Sequence, residues 1–99
     1  MMVDRFIPSP FHSSRQGHVP LAIVLHIMEG SLEGTGAWFQ DPRARVSTHY
    51  GIGKGGEIHQ YVDVTLAAWG NGSVSPGAPW RMLHDLPGVS PNLYTLSIE

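Results

Sequence analysis

The most hydrophobic stretch of the chain runs from Leu21 to Ile27 and holds six apolar residues and one histidine, His26. It is short, rich in β-branched residues, and bounded by Pro20 and Gly30. This pattern predicts a strand that is buried on both faces in the middle of a sheet. A buried polar group without a partner costs roughly 1–3 kcal/mol, so we expect the His26 ring to have one.

Two further patterns predict strands. Residues 46–52 and 57–62 read as the arms of a β-hairpin, and the turn between them, residues 53–56, contains three glycines that tolerate positive φ. Residues 94–99 alternate between apolar and polar side chains, as a strand with one buried face does.

One segment has the character of a short helix. Residues 31–40 are followed by Asp41-Pro42, which stops a helix. We expect Thr35 to be the N-cap, and Trp38 and Phe39 to pack in the core.

The remaining segments are rich in proline and glycine. Residues 1–20 are predicted to form an irregular arm that lies over the domain surface. Asp63 is expected to cap a helical turn over residues 64–68. Residues 73–92 carry four prolines, together with apolar residues that favour an ordered loop.

Length and composition limit the fold. The chain has 99 residues, of which 41% are hydrophobic and only 14% charged, with 12 glycines and 8 prolines. These values predict a single small domain with short elements and many turns. The order of the predicted elements indicates a mixed α/β fold, with a central mixed sheet flanked by helices.

Charge and hydropathy exclude several functions. The formal net charge is −2 and the basic residues are not clustered, which argues against nucleic-acid binding. No apolar run approaches 18 residues, and the N-terminus lacks the features of a secretory signal. Cysteine is absent, so a metal site would have to use His, Asp or Glu. We therefore expect a chain made in the cytoplasm that neither spans a membrane nor binds nucleic acid.

Four residues are candidates for chemistry, namely His26, His49, His59 and Glu99. Each also has a structural interpretation. A lone histidine in an apolar strand is more often a hydrogen-bonded core residue, which is the structural interpretation of His26. Cross-strand contact in the hairpin explains His49 and His59, and solvation at a strand end explains Glu99. Three other histidines fall in predicted loops and are expected to be solvated: His12, His18 and His84.

The pattern Ser9-Pro10…Ser13-Ser14-Arg15 is followed by four sequence blocks in an order that resembles a known family. They are IVLHIMEGSLEGTGAWF, VSTHYGIGKGGEIHQYVD, AAWGNG and NLYTLSIE. Together they resemble the zinc-dependent N-acetylmuramoyl-L-alanine amidases, more closely the amidase domains of phage and bacterial cell-wall lysins. The peptidoglycan recognition proteins share that fold. The resemblance runs from about Ile7 to Glu99.

The resemblance implies roles for individual residues. His26 falls on the first zinc ligand of the family, and Glu99 falls on its catalytic acid/base. Trp69 matches a tryptophan next to the substrate cleft, and Tyr50 and Asn71 are expected to bind substrate with it. The family has a histidine in the cleft where this chain has Gly70.

The implied reaction is hydrolysis of the amide between N-acetylmuramic acid and L-alanine, with peptidoglycan of the cell wall as substrate. In the family, a zinc ion activates water for this step. The second and third zinc ligands lie downstream of the block that contains Glu99. We therefore expect residues 1–99 to be one partial amidase domain without its C-terminal helices, its remaining zinc ligands lying outside this chain. Such a chain is expected to self-associate or to need a complementing chain.

Two alternatives remain open from the sequence. The first is a non-catalytic peptidoglycan-binding module of the same fold, with a cleft around Tyr50, Trp69 and the loop 73–92. The second is an inert fragment in which His26 is simply a buried histidine. Zinc content and release of peptide from muropeptides distinguish these alternatives from the enzyme.

Overall fold

The structure is a computed structural model that describes residues 2–72 and 89–99. Within them the chain forms seven strands, one α-helix and a short 3₁₀ helix over Pro91–Leu93. The strands and the α-helix are β1 (Arg5–Phe6), β2 (His12–Ser14), β3 (Ala22–Leu25), α1 (Leu32–Gln40), β4 (Tyr50–Ile52), β5 (Ile58–Gln60), β6 (Leu66–Ala68) and β7 (Thr95–Ile98). No helix in these residues has the length and apolar character needed to cross a bilayer.

Five strands form one sheet in the order β1-β5-β4-β7-β3. Strand β7 runs parallel to both β3 and β4, while β4 and β5 are antiparallel. Strands β2 and β6 form a separate antiparallel pair. The mixed α/β class predicted from the sequence is confirmed, with a mixed sheet as its centre.

The hydrophobic stretch at Leu21–Ile27 forms an edge strand, so the prediction of a central strand buried on both faces is wrong. Among the residues that the structure describes, strand β3 pairs with β7 alone and is the last strand of the sheet. One of its faces is exposed, with Leu25 at 75% and Ile27 at 90% exposure, whereas Val24 on the other face is half-buried. A continuous apolar run in the sequence does not show which elements will pack against the strand. In the described residues, only one face of β3 is packed.

Strand β7 was correctly located from its alternating pattern, yet its polar side chains are the more deeply buried ones. Thr95 and Ser97 are each 1% exposed, while Leu96 and Ile98 are half-buried. The polar face of β7 meets buried hydrogen-bonding groups from other elements, which remove the cost of burying hydroxyls.

Helix α1 begins at Leu32, because Ser31 caps it. The Ser31 hydroxyl accepts a hydrogen bond from the Gly34 amide at 3.0 Å. The predicted Thr35 cap is therefore wrong, and Thr35 lies inside the helix. Phe39 is buried as predicted, but Trp38 is 45% exposed.

The segment after Asp63 is a strand and not the predicted helical turn. Asp63 does cap a turn, accepting a hydrogen bond from the Thr65 amide at 2.8 Å. The chain then enters β6, which pairs with β2 inside the N-terminal arm. That arm was predicted to be irregular and instead contributes two strands. Most of the predicted ordered loop 73–92 lies outside the described residues, as does His84.

The predicted hairpin is confirmed, and its register separates the two hairpin histidines. His59 pairs with Gly51, while the Tyr61 amide donates to the His49 carbonyl at 2.8 Å. His49 and His59 are therefore not directly opposite each other, contrary to that interpretation. Tyr61 also packs edge-on against Phe39 at 5.1 Å between ring centroids, within the apolar core between α1 and the sheet.

Candidate active site

The ends of β3 and β7 bring His26 and Glu99 to the same edge of the sheet. Leu25 pairs with Ile98 in the parallel register, so the next residue of each strand is His26 and Glu99. The His26 amide donates to the Ile98 carbonyl at 2.8 Å. The Glu99 amide donates to the Tyr50 carbonyl at 2.9 Å, which ties the end of β7 to β4. Both candidates thus lie at the carboxyl ends of adjacent parallel strands, where α/β proteins place their ligand sites.

The partner of the His26 ring is Asn71. Nε2 of His26 lies 2.7 Å from the Asn71 side-chain oxygen. The Asn71 amide nitrogen donates to the Thr95 hydroxyl at 2.6 Å, and its backbone amide donates to the Asn92 side chain at 2.8 Å. The sequence correctly required a partner for His26, which is half-buried. Three predicted site residues, His26, Asn71 and Glu99, are therefore brought to one edge of the sheet.

The carboxyl group of Glu99 is in a partly dehydrated setting. Burial raises its pKa above the ordinary value, His26 acts in the opposite direction, and the charge of Glu29 adds to the rise. Burial, with a smaller contribution from Glu99, raises the pKa of Tyr61 to about 12. A carboxyl group with a raised pKa is suited to proton transfer nearer neutral pH.

A groove of about 440 Å³ opens beside Glu99. Its walls come from α1 and from the segment after β3, and the half-exposed indole of Trp38 is among them. The lining residues are Ile27, Glu29, Gly30, Ser31, Gly34, Thr35, Trp38, Phe39, Val46 and Glu99. The sequence assigned Trp38 to the core, but its exposure next to Glu99 makes it available to a ligand.

His49 belongs to a buried network. Its Nδ1 accepts a hydrogen bond from the Ser97 amide at 3.1 Å, so the ring proton is on Nε2, which lies 2.8 Å from the Leu66 carbonyl. Burial is the main cause that lowers the pKa of His49, and the nearby Arg15 cation lowers it further. Because a second ring proton would face the Ser97 amide, this site holds a neutral imidazole.

Arg15 is the residue that sequence reasoning missed. It is 5% exposed, and its guanidinium donates to three backbone carbonyls at 3.0–3.1 Å, those of Val64, Leu93 and Thr95. A further nitrogen lies 3.1 Å from Nε2 of His49. The guanidinium thus joins the start of β7 to the turn before β6. Its signal in the sequence was its place in the Ser9-Pro10…Ser13-Ser14-Arg15 pattern of the family resemblance, which implied no role for it.

The other predicted site residues have mainly structural contacts. Tyr50 is 9% exposed. Trp69 packs against Phe11 at 5.6 Å between ring centroids, and its indole nitrogen donates to Ser13 at 3.3 Å. His59 is buried, and its Nε2 lies 3.7 Å from the Glu57 carboxylate. The side chains of these three residues make no hydrogen bond to His26 or Glu99 within the described part of the chain, and Trp69 keeps 37% of its surface exposed.

The described part of the chain does not by itself provide a complete metal site. It contains no group of three or more His, Asp or Glu side chains that could hold a metal ion. The His26 imidazole has the right chemistry for one zinc ligand, but catalytic zinc ordinarily takes three protein ligands. The imidazole of His26 is therefore a suitable type of zinc ligand, but the described residues provide too few ligands to hold the ion.

Comparison with known proteins identifies related chains. Residues 16–99 match the sequence profile of a family described as N-acetylmuramoyl-L-alanine amidase. N-acetylmuramoyl-L-alanine amidase A of Achromobacter lyticus is 49% identical over 49 residues, which are 48% of this chain and 28% of that protein. The crystal structure of a selenomethionine derivative of AmpD superposes with a TM-score of 0.73 at 28% identity. That match covers 100% of this chain and 65% of AmpD, so the chain spans less than two thirds of either relative.

Proposed function

Because the chain belongs to the N-acetylmuramoyl-L-alanine amidase family, we propose that it acts on peptidoglycan of the cell wall, hydrolysing the amide between N-acetylmuramic acid and L-alanine. The observation that carries the proposal is the placement of His26 and Glu99 as neighbours at the ends of two parallel strands. They are the two residues on which the resemblance places a metal ligand and an acid/base.

The proton steps are assigned to Glu99. The ionised carboxylate accepts a proton from the water that attacks the amide carbonyl, and a C–O bond forms. It then delivers that proton to the nitrogen of L-alanine as the C–N bond breaks. The products are the free lactyl carboxylate and a peptide with a new amino terminus. The raised pKa of Glu99 favours the second step, since the protonated carboxyl persists to higher pH.

The groove beside Glu99 is the proposed path of the substrate. Its mixture of an exposed indole with hydroxyl and carboxylate groups suits a glycopeptide, because aromatic faces pack on sugar rings and the polar groups bind hydroxyls. Trp38, Thr35 and Glu29 are the residues we assign to such contacts.

Family members are generally zinc-dependent. His26 is proposed as one ligand of the ion. Since the described residues lack the further ligands, the steps above are assigned only to residues of this chain. The remaining ligands are proposed to come from outside it.

The proposal is tested with defined muropeptides and zinc, using the chain together with the segment or partner that supplies the remaining zinc ligands. Mass spectrometry is expected to detect free stem peptide that begins with L-alanine, and the Glu99→Gln variant is expected to lose this product. Release of new reducing sugar ends would instead indicate cleavage of the glycan, and would contradict the assignment.

A second candidate is a non-catalytic peptidoglycan-binding module. The absence of a three-residue metal cluster from the described residues favours it. Saturable muropeptide binding without any peptide release, in the presence of zinc, would select this candidate over the enzyme.

A further inference from the structure

We propose that Asn71 is a positioning residue, which holds the His26 ring with its proton on Nε2 and leaves Nδ1 as the atom with a free lone pair. The importance of that lone pair for catalysis rests on the proposed function. The arrangement itself follows from a series of hydrogen bonds that links Thr95, Asn71 and His26, and the hydroxyl of Thr95 determines which group donates in each of them.

The direction is set by Thr95. Its hydroxyl lies 2.8 Å from the Pro91 carbonyl, which can only accept, so the single hydroxyl proton points there. The hydroxyl must then accept from its other neighbour, the Asn71 side chain at 2.6 Å. The Asn71 nitrogen therefore faces Thr95, and its oxygen faces His26.

The consequence for His26 is a single tautomer. The Asn71 oxygen is an acceptor, so Nε2 at 2.7 Å has to carry the proton. A neutral imidazole has only one ring proton, so Nδ1 keeps its lone pair. Metal-binding histidines commonly donate their other ring N–H to such an acceptor, which orients the ring.

Asn71 is itself anchored by the segment that leads into β7. Its backbone amide donates to the Asn92 side chain at 2.8 Å. The buried Arg15 guanidinium holds the carbonyls of Leu93 and Thr95 in the same segment. The orientation of the His26 ring is therefore supported by a segment that is itself held by several hydrogen bonds. Both polar atoms of the Asn71 side chain have a protein partner, and we assign the residue this positioning role in addition to the substrate contact expected from the sequence.

The test is a long-range ¹H–¹⁵N spectrum of the chain with ¹⁵N-labelled histidine, free of metal, at a pH where the rings are neutral. We expect His26 to show one tautomer, with a slowly exchanging proton on Nε2. In Asn71→Ala, that proton should exchange rapidly and both tautomers should appear. Asn71→Asp should restore the wild-type signature, because a carboxylate oxygen also accepts from Nε2. The His49 signals report on the core and should be the same in all three proteins.

A second variant keeps the proposal testable if Asn71→Ala does not fold. Thr95→Val removes the acceptor that orients the Asn71 amide, and we expect mixed His26 tautomers there as well. A wild-type proton on Nδ1, or an unchanged Nε2 proton in folded Asn71→Ala or Thr95→Val, would overturn the proposal. The spectrum needs neither substrate nor metal. Failure to hydrolyse muropeptides would therefore count against the proposed function and leave the tautomer assignment standing.

Discussion

Arg15 holds the backbone carbonyl of Thr95 at 3.1 Å across 80 positions of sequence. The same guanidinium binds the carbonyls of Val64 and Leu93. No carboxylate is among its hydrogen-bond partners in the described residues, so peptide carbonyl dipoles take the place of an ion pair around this buried cation. Burial lowers the pKa of Arg15, but the group remains charged. The first strands of the chain are thereby joined to the last one.

Replacing Arg15 with methionine is expected to lower the free energy of unfolding by about 3 kcal/mol, because several buried carbonyls lose a charged donor. Urea denaturation followed by circular dichroism measures the change. Arg43→Met is the matched control, since Arg43 makes an exposed ion pair with Asp41 and should change stability little. Equal effects of the two substitutions would contradict the structural role of Arg15.

The neutral His49 is expected to make stability depend on pH. Its pKa is lowered in the folded chain, while in the unfolded chain it is about 6.5. Between those two values the unfolded state binds more protons, so stability is fully present above about pH 6.5 and falls as the pH decreases toward the folded pKa. Urea titrations at a series of pH values, together with the His49 ring signals by NMR, check this. A His49 ring that titrates at its unfolded pKa in the folded protein would refute it.

Gly51 is expected to tolerate no side chain. A Cβ there would lie 2.5 Å from the Tyr61 hydroxyl oxygen and 3.1 Å from Leu32. We expect Gly51→Ala to reduce stability by about 1–3 kcal/mol through overpacking. Gly55→Ala is the control, because a Cβ at that position meets nothing within 4 Å. Thermal unfolding of the two variants should give clearly different midpoints.

Removing the Glu99 carboxylate should reduce hydrolysis more than it reduces binding. We expect Glu99→Gln to lose about 10²–10⁴-fold in kcat, with muropeptide affinity nearly retained. The reaction needs the ionised form of Glu99, whose pKa is raised. In the pH profile of kcat/KM, the apparent pKa of the acid limb should therefore lie above the ordinary glutamate pKa of about 4.3. A variant with a near-normal rate would remove Glu99 from the mechanism.

The exposed face of β3 is expected to make the chain associate with itself. Four apolar side chains are exposed in and beside β3, which is an edge strand among the described residues, and unpaired backbone groups at such an edge add to the apolar surface. They are Leu21, Ile23, Leu25 and Ile27. Sedimentation velocity should show concentration-dependent oligomers, and Ile23→Lys with Leu25→Lys should shift the chain to monomer. A wild-type chain that is monomeric at all concentrations would contradict this expectation.

Several features of the fold were determined by the sequence alone. Alternation located β7, the glycine-rich turn located the hairpin, and the apolar run located β3, because each depends on local periodicity. The sequence also required a partner for the His26 ring, and resemblance singled out His26 and Glu99. The family and the mixed α/β class are confirmed by comparison and structure.

Only the tertiary structure decided where those elements lie and which polar groups meet. It placed β3 at the edge of the sheet, since strand order depends on pairing between distant segments. Residues 66–68 form a strand because they pair with β2. The partner of His26 is Asn71, 45 residues away, and the buried role of Arg15 depends on carbonyls even further along the chain. Such contacts leave no periodic pattern, so local sequence cannot predict them.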